Sequence, residues 1–307
     1  MRIAVPDLIS NSYFPAVAAI ELGYFKAEGL DAELEMISPI PKAMSALRDG
    51  EVDFVAGPAH ATLAAFPDWK GAKLVAALAK QTFWLLVVRA DLEVEPGDVQ
   101  GIKGLRIGAA PGPELAFRHL LSEAGIDPMG DGVELGPVPG ADGPDVSFGV
   151  HAAGVLERGE IDGFWANAMG CEVAVRSGAG KVILDVRRGM GPASATGYTF
   201  AALVTSDANV DKDPEAVAGA VRGIVNVQNA LREDPSRATE VGLRLFPAAE
   251  SEIIAALIER DVPFYDPSIP EDAVESMNRF AQATGLLSGP VPYDQVVATQ
   301  FRDLWSR

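Results

Sequence analysis

Leu47-Arg48-Asp49-Gly50-Glu51-Val52-Asp53 recurs downstream as Leu156-Glu157-Arg158-Gly159-Glu160-Ile161-Asp162. Each copy reads as the end of a helix, a glycine stop and an acidic entry into a strand. Glycine takes the left-handed conformation that closes a helix, and a branched apolar residue between acids favours extended chain. The opening Arg2-Ile3 also recurs, as Arg106-Ile107, in the same order and at nearly the same offset. Two ordered echoes predict two similar α/β lobes.

Short apolar runs alternate with helical patterns around these echoes, which predicts parallel α/β architecture. Candidate strands are Arg2–Pro6, Asp31–Met36, Val52–Ala56, Leu74–Ala79, Trp84–Arg89, Leu105–Ala109, Val133–Val138, Ile161–Ala166 and Val182–Val186. Pro15–Lys26 and Pro41–Asp49 have helical spacing, the second with proline in its first turn and Gly50 at its end. From Pro214 the chain reads as helical: Pro214–Glu233, Ser236–Leu245, Glu250–Asp261, Glu271–Gly285 and Pro292–Trp305. Trp84–Arg89 and Tyr198–Thr205 are expected to run side by side as the two crossings between lobes. Lobe one is then 1–86 plus 203–307, lobe two 87–202, and the C-terminal helices pack on lobe one. Two crossings form a hinge, and a cleft between lobes is a preferred place for a ligand.

The 307 residues suffice for two cores, and 48% hydrophobic with 22% charged residues is ordinary for a soluble protein. With 43 acids against 25 bases the net charge is −18, which disfavours nucleic acid and anionic membranes as partners. No apolar run approaches the roughly 18 residues of a membrane helix. The single cysteine, Cys171, excludes an internal disulfide and reads as a buried small hydrophobe. His60, His119 and His151 lie far apart and form no metal-ligand spacing, so no metal is expected. Gly178-Ala179-Gly180-Lys181 lacks the rest of a phosphate loop, Gly108-Ala109-Ala110-Pro111-Gly112 misses the dinucleotide fingerprint, and no Gly-x-Ser-x-Gly elbow occurs. No catalytic residue is assigned, and no cofactor.

The chemistry lies instead in loops that follow strands, where open parallel sheets bind ligands. Ser10-Asn11-Ser12-Tyr13-Phe14 supplies hydroxyl, amide and aromatic groups before a helix; Ser12 or Asn11 is a helix cap on the alternative reading. Gly57-Pro58-Ala59-His60-Ala61-Thr62 follows the third strand, with Pro58, His60 and Thr62 as candidate contacts. Gln81 and Trp84 stand at the first crossing, Trp84 being either packing or a stacking plate. In lobe two, Gly112 opens a helix, and Trp165 with Asn167 ends a strand. Burying an indole beside an amide is costly unless both find partners, which favours Trp165 and Asn167 as contacts. The cations nearest these loops are Lys42 and Lys80.

Phe14-Pro15-Ala16-Val17-Ala18-Ala19-Ile20-Glu21-Leu22-Gly23-Tyr24-Phe25-Lys26-Ala27-Glu28-Gly29-Leu30-Asp31 resembles the opening of the substrate-binding components of sulfonate, nitrate and thiamine-precursor ABC importers. Leu47–Asp53 and Leu105-Arg106-Ile107-Gly108 are similar to further segments of that family. The resemblance implies two Rossmann-like lobes joined by two hinge segments, the type II periplasmic binding protein fold. It also implies a monomer that hands a ligand to importer membrane subunits, in the periplasm if an export signal has been removed. Met1-Arg2 leads straight into Ile3-Ala4-Val5 without a signal segment, so a cytoplasmic protein, such as a small-molecule sensor, stays open.

A related enzyme branch, the pyrimidine synthases of thiamine biosynthesis, resembles the chain around Thr62-Leu63-Ala64-Ala65. Here Gly57 stands where that branch carries a lysine for pyridoxal phosphate, Ala61 where it has a histidine, and Thr196–Phe200 where it has a cysteine run. The expected activity is therefore ligand capture without chemistry. The aromatics Tyr13, Phe14, Phe83, Trp84, Phe148 and Trp165 point to a small aromatic or heteroaromatic ligand, with a carboxylate or sulfonate as a further option.

Overall fold

The computed structural model describes residues 1–141 and 147–306. The chain forms two compact units: Met1–Gln81 with Gly197–Arg307, and Thr82–Thr196. Unit one opens with β1 (Arg2–Val5), α1 (Phe14–Glu21), α2 (Tyr24–Ala27), β2 (Glu33–Met36), α3 (Ile40–Arg48), β3 (Phe54–Pro58) and β4 (Ala72–Ala79). Unit two holds β5 (Leu85–Arg89), β6 (Arg106–Ala109), α4 (Pro113–Glu123), β7 (Glu134–Gly136), α5 (Phe148–Glu157), β8 (Gly163–Ala166), α6 (Ala168–Arg176) and β9 (Gly180–Asp185). The chain completes unit one with β10 (Ala201–Ser206), α7 (Asp207–Lys212), α8 (Pro214–Glu233), α9 (Arg237–Leu245), α10 (Ala248–Asp261), α11 (Glu271–Ala283) and α12 (Tyr293–Val296).

The two sheets share one plan, β2-β1-β3-β10-β4 and β7-β6-β8-β5-β9. They are mixed, where sequence patterning predicts parallel ones. β1 runs parallel to β2 and β3, while β10 is antiparallel to β3 and β4. β6 runs parallel to β7 and β8, while β5 is antiparallel to β8 and β9. The cause is connectivity. The chain leaves unit one just after β4, at the edge where β1 and β3 also end, and re-enters at that edge. The strand that follows re-entry must run the other way. β5 enters unit two beside the end of β9, with Leu85 opposite Asp185, and obeys the same rule.

The two crossing strands therefore lie in different sheets and are not neighbours. Pairing also places residues 82–86 with unit two and 197–202 with unit one, moving both boundaries from their expected positions. The segments entering and leaving unit two meet one step earlier, where the Thr82 N–H donates to the Thr196 carbonyl at 2.9 Å.

The sequence echo has a physical basis. Asp53 accepts from the Arg2 backbone N–H at 2.7 Å, and Asp162 accepts from that of Arg106 at 3.0 Å. The return bonds, Asp53 N–H to Arg2 O and Asp162 N–H to Arg106 O, are both 2.9 Å. Each aspartate thus ties the third parallel strand of its unit to the start of the first. Gly50 and Gly159 take φ of 74° and 71°, the left-handed conformation that a side chain would strain.

Two expected helices are broken. Pro15–Lys26 splits into α1 and α2 at Gly23, φ 78°. Pro292–Trp305 becomes α12 and a 3₁₀ stretch, Thr299–Leu304, because Val297 is extended and bridges Leu74, and the Ala298 N–H donates to the Leu74 carbonyl at 3.0 Å. α8 packs on the same strand, its buried Gln228 Nε2 donating to Ala77 O and Leu78 O at 3.0 and 2.9 Å. No helix among the described residues is long and apolar enough to cross a membrane.

Candidate functional site

In unit one the parallel strands β1, β3 and β4 all end at one edge, and the residues after them are buried. Ser10, Asn11, Ser12, Tyr13 and Phe14 follow β1; Pro58 ends β3, and His60 and Thr62 follow it on a 3₁₀ turn. The helix-cap reading of Ser12 and Asn11 fails, because the N-cap of α1 is Tyr13 and it makes no side-chain cap bond. Asn11 instead donates through Nδ2 to Asp261 Oδ2 at the end of α10, and its carbonyl accepts from the Tyr265 hydroxyl at 2.5 Å. Arg260 Nε stands 3.7 Å from the other Asp261 oxygen.

Four buried oxygens on these two loops have no hydrogen-bond partner among the described residues: Ser10 Oγ, Asn11 Oδ1, Ser12 Oγ and Thr62 Oγ1. Buried polar atoms are normally satisfied, and each failure costs about 1–3 kcal/mol. Four on adjacent strand ends therefore mark where protein atoms do not complete the bonding.

His60 is 4% exposed, and burial pushes its pKa down to about 4, so it is neutral at pH 7. Its Nδ1 lies 2.9 Å from Thr199 Oγ1, and its ring stands edge-on to Phe280, on which Tyr198 stacks. Burial and then Asp7 push the Tyr13 phenol far above its usual range. Gln81 is exposed with φ 63°, a left-handed non-glycine residue at the end of the β4 segment. Lys80 is ion-paired with Asp266.

Unit two repeats the arrangement with different chemistry. Gly112 caps α4 with φ 98°, which a side chain would strain. Asn167 caps α6, its Oδ1 accepting from the N–H groups of Met169 and Gly170 at 3.1 and 3.4 Å. Its amide oxygen thus serves the helix, where the sequence pattern favours ligand contact. Trp165 is fully buried and stacks on Phe117 with ring centroids 5.0 Å apart; its Nε1 has no partner among the described residues. Trp84 is 2% exposed and packs on Phe83 and Trp165, at 5.0 and 6.2 Å between centroids, the packing alternative of its two sequence readings.

Arg187 escaped the sequence reading. It follows β9 on a 3₁₀ turn, is 5% exposed, and holds its guanidinium 5.8 Å from the Phe83 ring centroid. Lys42 is exposed, and Lys80 is ion-paired with Asp266. The available signal was Arg187-Arg188 directly behind the apolar run Val182–Val186, a charge at a strand's carboxyl end.

The NMT1/THI5-like family model matches residues 10–238. The chain belongs to that family. No curated protein matches it. Its fold is similar to solved structures of low sequence identity. A periplasmic sulfonate-binding protein of Methylobacillus flagellatus is 19% identical with a TM-score of 0.67, covering 99% of this chain and 94% of that one. The periplasmic nitrate-binding protein of Synechocystis is 13% identical with a TM-score of 0.71, covering 99% and 86%. The desulfurization enzyme DszB, solved as a mutant in complex with biphenyl-2-sulfinic acid, is 18% identical with a TM-score of 0.67, covering 98% and 97%. The fold of this NMT1/THI5-like protein is the two-lobed type II periplasmic binding protein fold.

The pyridoxal phosphate of the related enzyme branch is a poor fit to these residues. A Cβ built on Gly57 would meet Ile40 Cδ1 at 2.7 Å, so a side chain there enters the packing against α3. Lys80, at the end of β4 and separated from β3 by β10, is ion-paired with Asp266.

Proposed function

We propose that this NMT1/THI5-like protein is a solute-binding protein. It captures a small organic molecule at the carboxyl ends of its parallel strands and hands it unchanged to the membrane subunits of an ABC importer, working as a monomer in the periplasm. One observation carries the reading: four buried, partnerless oxygens crowd two adjacent loops of unit one. A ligand that bonds to them recovers free energy the protein alone forgoes. A sulfonate-binding protein of an ABC transporter and a periplasmic nitrate-binding protein among the similar folds support the transport role.

Enzyme chemistry is disfavoured by the residues present. His60, neutral and directed by Thr199, neighbours no cysteine, and the chain's Cys171 lies buried in α6 of unit two. The ligand is read as aromatic or heteroaromatic with an acidic group. Support comes from the indoles of Trp84 and Trp165 and the buried Arg187 at the corresponding edge of unit two. Native mass spectrometry of the purified protein, followed by calorimetry with any compound recovered, tests the reading. A stoichiometric compound recovered unaltered after prolonged incubation supports it; turnover of that compound overturns it.

A further inference from the structure

We infer that Asn11 is a fixed hydrogen-bond acceptor that selects ligands bearing an N–H or O–H donor, held in that orientation by Asp261. An amide side chain can present either its NH₂ or its oxygen, and an unconstrained one adapts to either kind of ligand. Here the choice is made by the protein. Asp261 Oδ2 accepts from the Nδ2 end of Asn11 and leaves Oδ1 as the remaining pole of the amide.

Rotation of the amide would set two oxygens against each other in a site where Asn11 is fully buried and Asp261 is 1% exposed. The backbone is held as well, since the Tyr265 hydroxyl donates to the Asn11 carbonyl at 2.5 Å. Asn11 Oδ1 is itself buried without a partner, between the partnerless hydroxyls of Ser10 and Ser12 along the chain. Those hydroxyls rotate and serve donor or acceptor alike, so Asn11 is the discriminating member of the loop. A ligand with a methyl or a carbonyl at this point leaves Oδ1 unsatisfied, or repels it.

The inference rests on the solute-binding reading, and the test separates the two. Matched pairs that differ only in –NH₂ against –CH₃ are titrated calorimetrically: 4-aminobenzoate with 4-methylbenzoate, and 4-aminobenzenesulfonate with 4-methylbenzenesulfonate. The amino member should bind roughly tenfold or more tightly in the parent. That preference should vanish in Asn11→Leu and shrink in Asp261→Asn, which can accept either pole of the Asn11 amide. Asp261→Glu, which restores a carboxylate, should recover part of it. Equal affinity within a pair that binds overturns the acceptor role and leaves solute binding standing. A preference that survives Asn11→Leu in folded protein assigns the donor contact elsewhere and also overturns it. If no member of either pair binds at millimolar concentration, the acceptor role toward amino-substituted aromatic acids is overturned, and solute binding stands or falls on the mass-spectrometric recovery of a compound.

Discussion

Removing the partnerless hydroxyls by Ser12→Ala and Thr62→Val has opposite consequences for stability and binding if the loop is built for a ligand. Both side chains are fully buried, and neither oxygen has a partner among the described residues. In the unliganded protein each hydroxyl carries an uncompensated desolvation penalty, about 1–3 kcal/mol for a group of this kind. An apolar replacement of similar shape should leave stability unchanged or raise it by up to about 1 kcal/mol, a melting shift of up to roughly 1.5 °C at about 2.1 cal/mol/K of unfolding entropy per residue. The ligand, by contrast, loses a hydrogen bond worth about 0.5–1.5 kcal/mol net, or roughly two- to twelvefold in affinity at ~1.4 kcal/mol per decade. Thr205→Val is the control. Its hydroxyl is equally buried but donates to Asp53 O at 2.8 Å and accepts from Asn209 Nδ2 at 3.2 Å, so its loss should cost about 1–3 kcal/mol and leave binding alone. Calorimetric melting of the three variants without ligand, with titration of the identified compound, decides. If Ser12→Ala and Thr62→Val destabilise the protein as Thr205→Val does and bind like the parent, those hydroxyls are structural and the reasoning is wrong.

Gly57→Lys, which restores the lysine of the enzyme branch, should destabilise unit one by roughly 1–3 kcal/mol through overpacking against Ile40. It should also give no internal-aldimine absorbance with pyridoxal phosphate; a lysine-linked adduct trapped by borohydride would contradict the packing argument. Asp162→Asn should cost about 1–3 kcal/mol at pH 7, since Asp162 accepts from Arg106 Nε at 2.9 Å and Nη2 at 2.8 Å. Arg106 holds the Asp162 pKa below its ordinary value, so this stabilisation is present above about pH 4 and lost as pH falls through the depressed pKa; denaturant titrations of parent and variant should converge in acid. His60 works in another window. Its folded pKa, about 4, lies below the unfolded value near 6.5, so the unfolded state binds the extra proton first and stability falls as pH drops from about 6.5 towards 4. His60→Gln should flatten that part of the stability profile, and an unchanged slope would place the titration elsewhere.

The sequence by itself determined the features that depend on near neighbours. The ten strands, the helix stops at Gly50 and Gly159, and the twofold plan rest on short-range periodicity and on a backbone conformation that glycine alone adopts freely. The position of Ser10–Phe14 and of His60–Thr62 after apolar strands was legible for the same reason, whereas Gly57 and Pro58 belong to β3 itself. The tertiary structure decided everything that depends on a distant partner. Strand direction in the fourth position of each sheet follows from where the chain re-enters, which no local pattern encodes. Asn11 became a fixed acceptor because Asp261, remote in the chain, takes its amide end, whereas Asn167, similar in sequence context, spends its oxygen on its own helix. Nothing in the local sequence separates Arg187 from Arg188; burial singles it out. A side chain's type fixes what bonds it is able to make; only the packed chain decides which are already made and which are left over.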